Sequence, residues 1–135
     1  MKKNTIKFFC IGTLIAVGLC MQSFYTNDSI MKKENGVYII NTTELCKNVE
    51  GYNGPTPLKV YINKNKVERI EFLKTQETPK YYAKVKKVLM DKWNNLKVND
   101  AKKLQVDAVT GATISSEAVI ENVRRGISYY IYANK

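Results

Sequence analysis

The sequence predicts an α+β fold, a small antiparallel or mixed sheet packed by helices and closed by a helix at the C-terminus. Three observations predict it. Two alternating apolar stretches, 58–62 and 67–73, flank the polar run Asn63-Lys64-Asn65-Lys66, which is the pattern of a β-hairpin. Apolar residues then recur at helical spacing toward the chain end, at Val119, Ile120, Val123, Ile127, Tyr130 and Ile131. Finally, 135 residues with 44% hydrophobic composition suffice for one core and are too few for two.

Residues 1–24 read as a signal peptide or a short N-terminal signal anchor. Lys2, Lys3 and Lys7 precede an uncharged apolar run from Phe8 to Met21. That run is shorter than the roughly 20 residues a membrane-spanning helix needs, so cleavage and export are expected. Leu19 stands before Cys20, where a lipid-modified cysteine would follow a small residue. Residues 25–36 are polar and lack periodicity, and read as a tether. The domain is then 37–135. Val37-Tyr38-Ile39-Ile40 opens it as a short strand. In the hairpin, Leu58, Val60 and Ile62 share one face, with Val67 and either Ile70 or Phe72 opposite. Pro79 suits a first helical turn, and Tyr81, Val85, Val88 and Leu89 follow at helical spacing, which predicts a helix over 80–90. A further helical turn is expected around 99–104. The last helix is expected over 116–132, capped by Ser115 or Ser116 and with Glu117 in its first turn.

Composition narrows the chemistry. The chain has no histidine, which removes histidine-based triads, histidine-ligated haem and the commonest zinc sites. Cys10 and Cys20 fall in the leader, leaving Cys46 as the one thiol of the mature domain. A single thiol forms no internal disulfide and holds no iron–sulfur cluster or four-cysteine zinc site. Net charge is +10, and +7 without the three leader lysines. Read as spread along the chain, it suits anionic partners such as a phosphate, while an exported location argues against nucleic acid.

Ahead of the last helix lies Asp107-Ala108-Val109-Thr110-Gly111-Ala112-Thr113-Ile114-Ser115-Ser116. Gly111 permits backbone angles closed to other residues, Ala112 adds little bulk, and Thr113 stands just before a helix N-terminus whose free amides favour a phosphate. Thr110, Ser115 and Ser116 offer hydroxyl donors to phosphate oxygens. Asp107 offers a carboxylate to orient a hydroxyl or to help hold a divalent metal during transfer. On residue types alone, two readings stand: a phosphate-bearing loop, or a plain strand-to-helix turn with glycine for geometry and serine for capping.

The segment resembles the flavinylation motif of the FMN-binding domain family, found in the FMN-carrying subunits of the sodium-translocating NADH:quinone reductase and of the Rnf complex. Asp107, Thr110, Gly111, Ala112 and Thr113 match its acidic residue, spacer, Ser or Thr, and Gly-Ala-Thr. Two further segments are similar to family motifs. Gly51-Tyr52-Asn53-Gly54-Pro55 resembles the glycine-rich Gly-Tyr-x-Gly segment, and Glu77-Thr78-Pro79 the Glu-Thr-Pro step, with Lys80 where a glycine is common. The resemblance runs from about Val49 to Tyr130 and implies FMN joined through its phosphate to Thr113. It implies an ApbE-type flavin transferase as partner, making the bond from FAD with magnesium and releasing AMP. It further implies that Glu77 and Thr78 hydrogen-bond the ring or ribityl chain, the alternative being a capped turn before a helix. Tyr52, Tyr81, Tyr82 and Trp93 are aromatic planes that serve either to stack on the isoalloxazine or as core.

The expected function is that of an extracytoplasmic electron-transfer flavoprotein, periplasmic or on the outer face of the cytoplasmic membrane. It would exchange electrons with a membrane or extracytoplasmic redox partner, the flavin performing the redox chemistry. The alternatives are a small exported flavin reductase and a flavin-free binding module of the same fold.

Overall fold

The computed structural model describes residues 30–135, and the readings of the leader, of Cys20 and of the first residues of the tether lie outside the described residues. Four strands form one antiparallel sheet in the order β1-β2-β3-β4. They are β1 (Met31–Glu34), β2 (Val37–Asn41), β3 (Leu58–Asn63) and β4 (Lys66–Phe72). The helices are α1 (Thr42–Leu45), α2 (Pro79–Leu89), α3 (Val98–Lys103) and α4 (Thr113–Ala133). The α+β expectation holds, and the sheet is antiparallel throughout.

Within the stretch read as a tether, residues 31–34 form strand β1. Lys32, Lys33 and Glu34 show no apolar alternation, yet the segment pairs residue by residue with β2, from Met31 opposite Ile40 to Glu34 opposite Val37. It is an edge strand in which only Met31, with Ile30 before it, packs against the core while Lys32, Lys33 and Glu34 are solvated, so the ladder leaves little hydrophobic signature. The turn into β2 places Asn35 and Gly36 at φ 49° and 83°, the left-handed pair that a tight hairpin demands. Lys64 and Asn65 play the same part between β3 and β4, at φ 50° and 62°.

In the second hairpin Leu58, Val60, Ile62 and Val67 are fully buried and Ile70 nearly so, whereas Phe72 is half-buried. Register slips between Tyr61 and Ile62, so that Tyr61 faces Arg69 while Ile62 faces Val67. The irregularity keeps Val67 and Ile70, three residues apart, on one face. One face of the sheet is covered by α4, whose Val119, Val123 and Ile127 are fully buried. Each such aliphatic side chain contributes about 1.5–3 kcal/mol. Ile120 and Ile131 of the expected stripe lie at its margin, half-buried.

The one unforeseen helix, α1, is capped by the Asn41 side chain, which accepts from the Thr43 amide at 2.9 Å. Thr42 ties it inward: its hydroxyl accepts from the Leu58 amide at 3.0 Å and donates to Asn122 Oδ1 of α4 at 2.6 Å. A buried polar join of this kind fixes the angle between sheet and helix.

Candidate functional site

Helix α4 begins earlier than its apolar periodicity indicates. Thr113 is its first residue, not the residue before it, and Ala112 occupies the N-cap position with no side-chain cap. Neither serine caps, and Glu117 falls beyond the first turn. Gly111 makes the early start possible, since its φ of 83° turns the chain into the helix axis through a region that L-residues avoid. Ser116 then locks the turn: its hydroxyl donates to the Ala112 carbonyl at 2.7 Å and accepts from the Val109 amide at 3.0 Å. The first amide with an acceptor at the helix start is that of Ser116, bonded to the Ala112 carbonyl. Those of Thr113, Ile114 and Ser115 lie ahead of it, at the positive end of a helix of 21 residues.

Opposite this helix end stand two loops. Gly51 and Gly54 close a tight hairpin through a 2.8 Å backbone hydrogen bond, leaving Tyr52 at its tip with 74% exposure. The loop after β4 leans on it through the Thr75 hydroxyl, which donates to the Pro55 carbonyl at 2.8 Å, and it leads into α2 at Thr78. That threonine holds the N-cap position without capping, because its hydroxyl accepts from Asn53 Nδ2 at 3.0 Å instead.

Glu77 joins all three pieces. Its carboxylate is buried, accepting from the Asn53 amide at 3.0 Å through Oε1 and from the Ser115 hydroxyl at 2.6 Å through Oε2. The close approach explains Gly51: a Cβ there would lie 2.3 Å from Glu77 Oε1. Glu77 is therefore foremost a brace between the Tyr52 hairpin and the first turn of α4. The Ser115 hydroxyl, expected to point at a phosphate, is committed to that brace, as the Ser116 hydroxyl is to Ala112. For Ser115 the donor left is the backbone amide, which stands beside those of Thr113 and Ile114, whereas the Ser116 amide is itself bonded to the Ala112 carbonyl.

The brace encloses a cavity of about 430 Å³ lined by Tyr52, Glu77, Thr78 and Tyr81 on one side and by residues 111–115 on the other. Six of the sequence-predicted residues thus meet there: Glu77, Thr78, Gly111, Ala112, Thr113 and Ser115. Asp107 and Thr110 do not; they border an adjoining groove with Val88, Lys92 and Leu104. Among the four candidate aromatics, Tyr52 and Tyr81 reach the cavity, with Tyr81 half exposed. Tyr82 and Trp93 are core, at 4% and 2% exposure, and Tyr82 packs edge-on against Phe72. The Tyr82 hydroxyl has no hydrogen-bond partner, and burial, aided by the charge of Glu77, holds its pKa well above the ordinary phenol value. It stays a neutral core residue. Sequence reasoning missed Asn53, which serves both Glu77 and Thr78, and Ile114, a 53% exposed apolar side chain at the cavity. An asparagine in a glycine turn signals only the turn, so its second role needed the fold.

Chemically, the cavity combines two exposed aromatic rings, a helix end with free amides and the exposed Thr113, whose hydroxyl makes no hydrogen bond. Its volume falls within the roughly 300–1,000 Å³ of small-molecule and cofactor sites. A flat aromatic ligand with a phosphate fits both halves: rings for the plane, helix amides for the anion. The described residues contain no group of three or more acidic or cysteine side chains that could hold a metal ion. Residues 51–128, more than half of the chain, match the model of a protein family described as the FMN-binding domain. No curated protein and no solved structure matches the chain.

Proposed function

The chain belongs to the FMN-binding domain family, and from that premise we propose that it carries FMN as a phosphoester of Thr113 and serves as an electron carrier outside the cytoplasm. The observation that carries the proposal is the Thr113 hydroxyl, exposed and without a hydrogen bond, at the rim of a cavity of cofactor size. Bound there, the flavin supplies the redox chemistry. The protein holds and places it. The amides of Thr113, Ile114 and Ser115 receive the phosphate, Tyr52 and Tyr81 offer faces to the ring, and the Glu77 brace keeps the two sides together. Thr113 is the acceptor in a transfer from FAD by an ApbE-type transferase, in which its oxygen bonds to the FMN phosphorus and AMP leaves.

Export is supported by the basic start and the apolar run 8–21, and among the described residues no helix is long and apolar enough to cross a membrane. Covalent attachment suits a carrier that works where a lost cofactor would not be replaced. The test is export from cells that also make a flavin transferase, followed by denaturing electrophoresis under ultraviolet light and intact mass. The expected result is a fluorescent band and a gain of one FMN less water, both absent in Thr113→Val. That variant should fold normally, since an exposed side chain without partners changes stability by no more than about 0.5 kcal/mol. A fluorescent Thr113→Val band would move the attachment to another hydroxyl; no label on either protein would refute covalent attachment.

A further inference from the structure

The positive charge is less evenly spread than the whole-chain reading suggests. The described residues carry 19 basic and 11 acidic side chains, a net +8. Between Lys80 and Lys103 there are eight lysines against two aspartates, so this stretch accounts for +6 of it. All eight lysines are exposed. None is neutralised by a carboxylate: the ion pairs among the described residues join Lys32 to Glu34, Arg69 to Glu71, and Arg124 and Arg125 to Glu121.

Two of the uncovered apolar side chains, Val88 and Leu104, border one groove. Of the large hydrophobic residues exposed among the described residues, Tyr52, Tyr81 and Ile114 line the flavin cavity and Tyr132 stands near the chain end. The other three are Val88 and Met90, each 45% exposed, and Leu104 at 37%. Val88, Lys92 and Leu104 border the adjoining open groove of about 570 Å³. Lys92 thus lines the groove beside Val88 and Leu104, and Lys80, Lys84 and Lys87 fall at helical spacing on the Val88 side of α2.

We infer that this face, built from α2, α3 and the segment 104–110, docks on an anionic lipid surface. Charge complementarity sets the sign of the partner, and the residue types set its kind. Protein interfaces are enriched in arginine and depleted in lysine, yet every cation on this face is lysine, the arginines lying at 69, 124 and 125. Long lysine stems beside protruding Val88 and Leu104 suit a headgroup layer, where the ammonium groups meet phosphates and the apolar tips enter beneath them. Tyr81 shares α2 with Lys84, Lys87 and Val88, so docking holds the cavity at the edge of the lipid-bound face. The inference is independent of covalent flavin attachment.

Lysine acetylation mapped by mass spectrometry tests it on the full chain, with and without FMN, on phosphatidylcholine vesicles with or without phosphatidylglycerol. Anionic vesicles should slow acetylation of Lys84, Lys87 and Lys92 several-fold and leave Lys59, on the helix-free face of the sheet, unchanged. Taking about a fivefold contribution per surface lysine, Lys84→Gln with Lys87→Gln should raise the lipid needed for half-protection of Lys92 about 25-fold. High salt should abolish the protection. Equal protection on pure phosphatidylcholine overturns the inference, as does a vesicle-bound chain with no protection at these lysines, held by the run 8–21 alone. Protection by polyglutamate but not by vesicles also overturns it and assigns the face to an acidic protein.

Discussion

The brace between Glu77 and Ser115 makes the most specific energetic prediction. The hydrogen bond is short, 2.6 Å, and links a buried hydroxyl to a buried carboxylate. Hydrogen bonds to charged groups contribute about 1.5–3 kcal/mol, and stranding a buried charge costs at least as much. Ser115→Ala should therefore destabilise the domain by about 2 kcal/mol, and Glu77→Gln by a similar amount, because one of two donors then faces an amide NH₂. Since both remove the same contact, the double variant should cost much less than their sum, with a coupling energy of about 1.5–3 kcal/mol. For a domain of about 100 residues each single variant should melt roughly 10 °C lower. Urea unfolding followed by Trp93 fluorescence measures this directly, since it is the chain's one tryptophan and 98% hidden from solvent, at 2% exposure. The variants should also accept flavin more slowly, because the brace sets the position of Thr113. Additivity to within about 0.5 kcal/mol would refute the brace.

Gly51→Ala forces a methyl to within 2.3 Å of Glu77 Oε1 and should cost about 1–3 kcal/mol in thermal unfolding, a cost that Glu77→Ala largely removes. An unchanged melting temperature would show that the hairpin yields freely. Cys46 gives a pH signature. Burial pushes its thiol up to about 11, against the opposing effect of Arg125. The folded state thus keeps a proton that the unfolded state loses near pH 9, so this contribution is intact below pH 9 and declines by up to about 3 kcal/mol toward pH 11. The stability gap between the natural chain and Cys46→Ala should narrow over that window, measured by urea titration; a constant gap would contradict it.

Much of the architecture was legible because it rests on local periodicity. Leu58, Val60 and Ile62 alternate, Val119, Val123 and Ile127 repeat at helical spacing, and both patterns mark faces that meet in the core. Strand β1 was not legible, since an edge strand with solvated side chains is specified by its partner's backbone. The start of α4 was misplaced by three residues because Thr113, Ile114 and Ser115 carry no apolar stripe into its first turn. Helix α1 hides in Thr42-Thr43-Glu44-Leu45, too short for any period to show.

At the site, the sequence alone determined the chemistry on offer. A chain without histidine and with one thiol after residue 20 has few catalytic side chains, and Thr-Gly-Ala-Thr places a hydroxyl beside a permissive turn. Tertiary structure decided which groups share a space. Asp107 is six positions from Thr113 yet lies on a neighbouring groove, while Glu77, 38 residues from Ser115, touches it. It also decided positions: the Ser115 hydroxyl bonds Glu77, Tyr82 and Trp93 are core, and Tyr52 and Tyr81 are left for the cavity. The physical reason is that a side chain's donors and faces are few, and sequence states what they are. Only the packing of distant segments settles what they are spent on.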